Sequence, residues 1–91
     1  MQSKKVTVMN PTGLHLRPAG VLCDTAVRFH SHVAFRYGEE WRGEANAKSV
    51  LSILGACVKS GDTIEIVTEG EDEVEALESV VRLFENGFGE A

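Results

Sequence analysis

The chain reads as an α+β fold: a four-stranded, mainly antiparallel sheet covered on one face by three helices, in the order βαββαβα. Three observations point there. Alternating and helical patterns interchange along the 91 residues, as strands and helices require. The strands alternate polar with apolar side chains, so the sheet has one wet face. Each helix carries a single apolar stripe, which suits one covering layer. The architecture is an open-faced β-sandwich.

Residues 4–9 form the first strand, with Val6 and Val8 opposite Lys5, Thr7 and Met9. Residues 16–29 place Ala19, Leu22, Cys23, Ala26 and Phe29 at helical spacing. Residues 32–37 alternate again through Val33, Phe35 and Tyr37. Gly38-Glu39-Glu40 is a turn, and residues 41–45 are a short return strand. Trp41 reads as packing across this hairpin or over the sheet. Residues 49–58 form a short amphipathic helix, ended by Ser60-Gly61-Asp62. Residues 63–68 are the most strand-like run. Residues 72–86 form the last helix, with the stripe Val74, Leu77, Val81 and Phe84. Glu71, Asp72 and Glu73 load its first turn with acid, which suits the helix dipole. Gly87 is its C′ residue.

With no repeat, low-complexity segment or linker, residues 1–91 are expected to form one domain. A chain this short buries about 60–65% of its unfolded surface, so its core is thin and deep clefts are excluded. The net charge of −5 argues against nucleic acid as the main ligand. No apolar run approaches the roughly 20 residues that cross a bilayer. Met1-Gln2-Ser3-Lys4-Lys5 is basic but no apolar signal region follows. The chain is therefore expected to begin as a mature, cytoplasmic protein. Cys23 and Cys57 lie in helical patterns and are expected to be buried free thiols. No CxxC or zinc spacing occurs, His30 and His32 carry no metal role, and no cofactor is implied.

The most informative stretch is Gly13-Leu14-His15-Leu16-Arg17-Pro18-Ala19. The polar turn Asn10-Pro11-Thr12-Gly13 precedes it, and a helical pattern leaves it. With the helix starting near Leu16, His15 sits near the N-cap. Pro18 falls in the first turn, where its missing N–H costs nothing. The N–H groups of Leu16 and Arg17 then point outward as an anion cradle. The positive end of the helix disfavours imidazolium and so favours the nucleophilic, neutral ring. Arg17 can fork onto phosphate oxygens. Asn10 and Thr12 are placed to orient the ring. On the residues alone, an ordinary turn histidine satisfied by a backbone group is the readier reading.

This stretch resembles the active-site signature of HPr, the histidine-containing phosphocarrier family of the bacterial sugar phosphotransferase system. The resemblance spans essentially the whole chain. A second segment, Asn46-Ala47-Lys48-Ser49-Val50-Leu51 with Ile53, Leu54 and Gly61, looks like the family's regulatory serine segment. The resemblance implies that enzyme I phosphorylates His15 on Nδ1, with phosphoenolpyruvate as ultimate donor, and that sugar-specific enzyme IIA proteins take the group. The protein is then a carrier and a substrate of other enzymes, not a catalyst with its own turnover. The chain departs from the family pattern at Leu16, where a small residue is usual, at Gly20, where Thr, Ala or another small non-glycine residue is usual, and at Cys57, where glycine is common. Those departures bear on partners more than on chemistry.

Ser49 precedes an apolar helical run and is a good N-cap, with Asn46 a competing cap. The resemblance implies regulatory phosphorylation of Ser49 by an HPr kinase/phosphorylase, and binding of that form by a catabolite-control transcription regulator. A phosphate there adds roughly −2 charge at a helix mouth. Leu16, Gly20, Val50, Leu51 and Leu54 form a candidate docking patch for these partners. For Leu54 a plain core role is equally open. Arg28 and Lys59 add basic steering. The expected state is a monomer without membrane insertion. A competing reading is a regulatory interaction protein of this fold, acting through Ser49 with His15 idle. A third is a small ligand-binding module without phosphotransfer.

Overall fold

The computed structural model describes residues 1–90. The elements follow the expected order: β1 (Gln2–Thr7), α1 (Leu16–Ala26), β2 (His32–Tyr37), β3 (Gly43–Asn46), α2 (Val50–Gly55), β4 (Thr63–Glu69) and α3 (Glu73–Glu85). The strands lie in the order β1-β4-β2-β3, and every neighbouring pair is antiparallel. The last strand is thus inserted between the first two.

The core lies between the sheet and the helices. Val33, Phe35, Ile64 and Ile66 supply it from the strands. Ala19 and Leu22 of α1, Ile53 of α2, and Ala76, Val80 and Phe84 of α3 meet them. Full burial of one such large side chain stabilises by about 1.5–3 kcal/mol. The half-buried Leu77 and Leu83 pack against this cluster. Val74 does not: it is exposed, because the inward face of α3 runs through Ala76, Val80 and Phe84.

The open face carries a charge row set by register. Lys5 pairs with Glu65, Glu65 with Arg36, and Arg36 with Glu44 across all four strands. Arg36 Nη1 lies 3.4 Å from Glu65 Oε1 and its Nε 3.5 Å from Glu44 Oε1. Pairs this exposed contribute at most about 1 kcal/mol each, but they favour this register. The face is not wholly wet. At its centre Ala34 and its partner Val67 are buried. Lys5 Nζ sits 5.9 Å from the centre of the Trp41 ring, so the indole does lie over the sheet.

Element ends differ from the sequence reading for local reasons. β1 begins earlier than residue 4 because Gln2 and Ser3 pair with Thr68 and Val67. α1 ends at Ala26, with Val27 as C-cap, and Phe29 turns back half-buried onto the core. The return strand is Gly43–Asn46, because a one-turn segment at Glu39–Trp41 intervenes with positive φ at Glu40 and Trp41. α2 stops at Gly55. Cys57 follows with φ +54, a left-handed position that glycine fills without strain. That accounts for the family's glycine there. It also turns the thiol outward: Cys57 is exposed and Cys23 half-buried, both free. Gly87, with φ +59, ends α3 as expected.

Asp72 occupies the N-cap position of α3 without capping it through its side chain. Its carboxylate instead accepts hydrogen bonds from the Ser31 hydroxyl, the His30 N–H and the Ser31 N–H. This clasp ties the α1–β2 turn to the start of α3. The Ser31 hydroxyl first, and the His30 N–H second, hold the Asp72 carboxyl down at about 2, from 3.8. A depressed folded-state value stabilises the fold above the unfolded value and loses that contribution as acid protonates the folded state. We predict that Asp72→Asn lowers the melting temperature at neutral pH. The difference from the parent should persist down to about pH 4 and vanish as pH approaches about 2. Parallel thermal melts across that range check it.

Candidate functional site

The turn before α1 is built by residues far apart in sequence. The Gly13 N–H donates to Asn10 O at 3.1 Å, and the buried Asn10 Nδ2 donates to Gly13 O at 2.7 Å. Gly13 has φ +63, and a Cβ there would sit 2.7 Å from Val58 O and 2.8 Å from Lys59 Cα. Only glycine fits this approach. The Leu14 N–H donates to Val58 O at 3.0 Å, and the Leu14 side chain is buried. With Leu14 anchored inward, the next residue faces out.

That residue is His15. It is exposed and is the N-cap of α1, with extended backbone (φ −76°, ψ −176°) and no side-chain capping bond. Its carbonyl accepts the Ala19 N–H at 2.8 Å. Leu16 and Arg17 open the helix, so their N–H groups have no intrahelical acceptor. Pro18 is buried in the first turn and has no N–H to satisfy. No acidic residue occupies that turn. Among the described residues no carboxylate pairs with the exposed Arg17. His15, Arg17 and open backbone N–H groups therefore share one solvent-facing helix mouth.

Asn10 and Thr12 stand elsewhere than expected. Their hydrogen bonds go to Gly13 O and to the Glu90 carboxylate, so they brace the turn instead of touching the ring. Glu90 is the residue that sequence reasoning missed. No local pattern marks it, because it lies 78 positions from Thr12.

Ser49 caps α2: its hydroxyl accepts the Ser52 N–H at 3.2 Å. Asn46 is no cap. Its Oδ1 accepts the Lys48 N–H at 2.9 Å within the preceding turn. Lys48 Nζ reaches back to Phe29 O at 2.7 Å.

The docking patch divides. Leu16 and Leu51 are 62% and 82% exposed, an unusual exposure for leucine. Gly20 is half-buried, and a Cβ there would meet nothing. Val50 and Leu54 are half-buried against the core and serve it as well. Arg28 and Lys59 are exposed.

Residues 2–86 match the family model described as the PTS HPr component phosphorylation site. The chain belongs to the HPr family. It is 38% identical to the phosphocarrier protein HPr of Treponema pallidum (strain Nichols) over 90 residues, covering 99% of each chain. It is also 38% identical to the HPr-like protein Crh of Halalkalibacterium halodurans over 85 residues, covering 93% of this chain and 98% of that protein. The crystal structure of HPr-C-His from Thermoanaerobacter tengcongensis superposes with a TM-score of 0.92 at 35% identity, covering 100% of this chain and 99% of that one. The fold expected from the sequence holds, and so does the phosphocarrier function at the level of the HPr family.

The Gly13 seam gives a direct prediction. Gly13→Ala should lose roughly 2–4 kcal/mol of stability, since it combines strained backbone with a close contact. Urea unfolding, with amide shifts at Leu14 and His15, checks both the cost and the displaced helix mouth.

Proposed function

We propose that His15 accepts a phosphoryl group from enzyme I and passes it to sugar-specific enzyme IIA components of the phosphotransferase system. The observation that carries this reading is the exposed His15 at a helix mouth whose first N–H groups and arginine have no acidic partner among the described residues. An imidazole nitrogen attacks phosphorus, the N–P bond forms, and the donor's bond to phosphorus breaks. The ring proton leaves to solvent or to the donor. The transferred group brings about two negative charges to a mouth that favours anions. Arg17 forks onto its oxygens. Both contacts are solvent-exposed, so screening keeps the stabilisation modest and the group transferable. Leu16 and Leu51 offer the apolar surface on which partners dock.

Ser49 supports a second, regulatory reading. Its hydroxyl stands at the mouth of α2, and the Crh-type relative is similar over nearly its whole length. A phosphate on Ser49 changes charge beside Leu51 without requiring the fold to move.

Incubation with phosphoenolpyruvate and a bacterial enzyme I, followed by intact mass measurement, tests the carrier reading. One acid-labile phosphate is expected on the parent and none on His15→Ala. Absence of any gain on the folded parent would overturn it. We predict further that Arg17→Ala keeps the fold and slows acceptance about ten- to a hundredfold, as loss of a charge-assisted donor does. Single-turnover transfer measures this.

A further inference from the structure

The geometry points to Glu90 as a positioning residue for His15: its carboxylate straps the turn that aims the histidine. This rests on the carrier reading above. Glu90 Oε1 accepts Asn10 Nδ2 at 3.1 Å and the Thr12 N–H at 3.4 Å. The Thr12 hydroxyl lies 2.9 Å from Oε1 and 3.0 Å from Oε2. One carboxylate therefore holds both side chains of the turn that ends at Gly13, and Asn10 passes the restraint on through its bond to Gly13 O.

The chain goes to unusual lengths to place this group. Gly87, Phe88 and Gly89 are consecutive left-handed residues, with φ +59, +55 and +76. That conformation is natural for glycine but strained for phenylalanine. Strain of this kind persists where surrounding contacts over-determine it. Here the Phe88 ring packs edge-on against the buried Phe84 at 4.9 Å between centres, and Gly87 lies against Asn10, whose Cβ would be 3.9 Å from a Cβ on the glycine. The tail is thus folded back from the end of α3 onto the turn, and Glu90 is what it delivers. The Glu90 carboxyl is held below its ordinary range by Asn10 first and Thr12 second, with a smaller contribution from the charge of Arg17. It is therefore ionised throughout the neutral range.

The strap acts through hydrogen bonds, so an amide oxygen should replace it in part. The test compares Glu90→Ala and Glu90→Gln with the parent by His15 ring 1H–15N spectra and by single-turnover acceptance from phosphorylated enzyme I. Glu90→Ala should shift the His15 ring resonances and slow acceptance about tenfold, the scale of a displaced reacting group. Glu90→Gln should restore the ring resonances and return the rate to within about threefold, because one acceptor oxygen remains. Unmoved ring resonances in Glu90→Ala overturn the strap, whatever the rate does. A ring that moves in Glu90→Ala and returns in Glu90→Gln upholds the strap even if the parent takes no phosphate; that result would remove the carrier reading alone.

Discussion

The structure turns on one seam, where the segment that leaves β1 lies against the segment that leaves α2. Val8 N–H donates to Asp62 O at 2.8 Å, Gly61 N–H to Val8 O at 2.7 Å, and Leu14 N–H to Val58 O at 3.0 Å. Gly13 is pressed onto the Val58 and Lys59 backbone. These bonds satisfy buried backbone groups that would otherwise cost free energy. They also decide where α1 begins. Leu14 turns into the core, His15 turns out, and Leu16 opens the helix beside α2. Backbone approach, not side-chain chemistry, thus sets the place of the histidine.

The three helix mouths divide the electrostatic labour. The start of α3 is loaded with its own acid, Glu73 and Glu75, while Asp72 is spent on the clasp with Ser31. The start of α2 is closed by the Ser49 hydroxyl. The start of α1 has neither acid nor side-chain cap. Unsatisfied N–H groups at a helix end attract anions, so only α1 keeps that capacity for a ligand. Arg17 beside it has no carboxylate partner among the described residues. An anion held there gains charge stabilisation yet stays in contact with water, where the effective dielectric is high and interactions are weak. That balance suits a group received and then surrendered.

Much of this was legible in the sequence. Alternation in Val33, Phe35, Ile64 and Ile66, and the stripes on the helices, give the sheet and its covering layer. Pro18 three residues after His15, and Ser49 before an apolar run, locate two helix starts. What the sequence did not disclose is long-range. Strand pairing carried β1 back to Gln2. The left-handed positions at Trp41 and Cys57 redirected a hairpin and exposed a thiol that pattern alone buries. Glu90 reaches the Asn10–Thr12 turn through a fold-back of strained residues, and no spacing rule reaches across the chain to Asn10. The two signatures flanking His15 and Ser49 were visible because each is local. The backbone bonds of the seam beneath these two helix mouths were not, since their donors are groups common to every residue.

The central claim is that the open mouth of α1 is what receives the phosphoryl group. The most direct measurement is the amide 1H–15N spectrum of the protein before and after phosphoryl donation from phosphoenolpyruvate through enzyme I. Capture at that mouth predicts the largest displacements at the Leu16 and Arg17 N–H groups, with Leu14 and Val58 nearly still because the seam holds. Small changes at Leu16 and Arg17, with the largest shifts elsewhere on a fully phosphorylated protein, would contradict it.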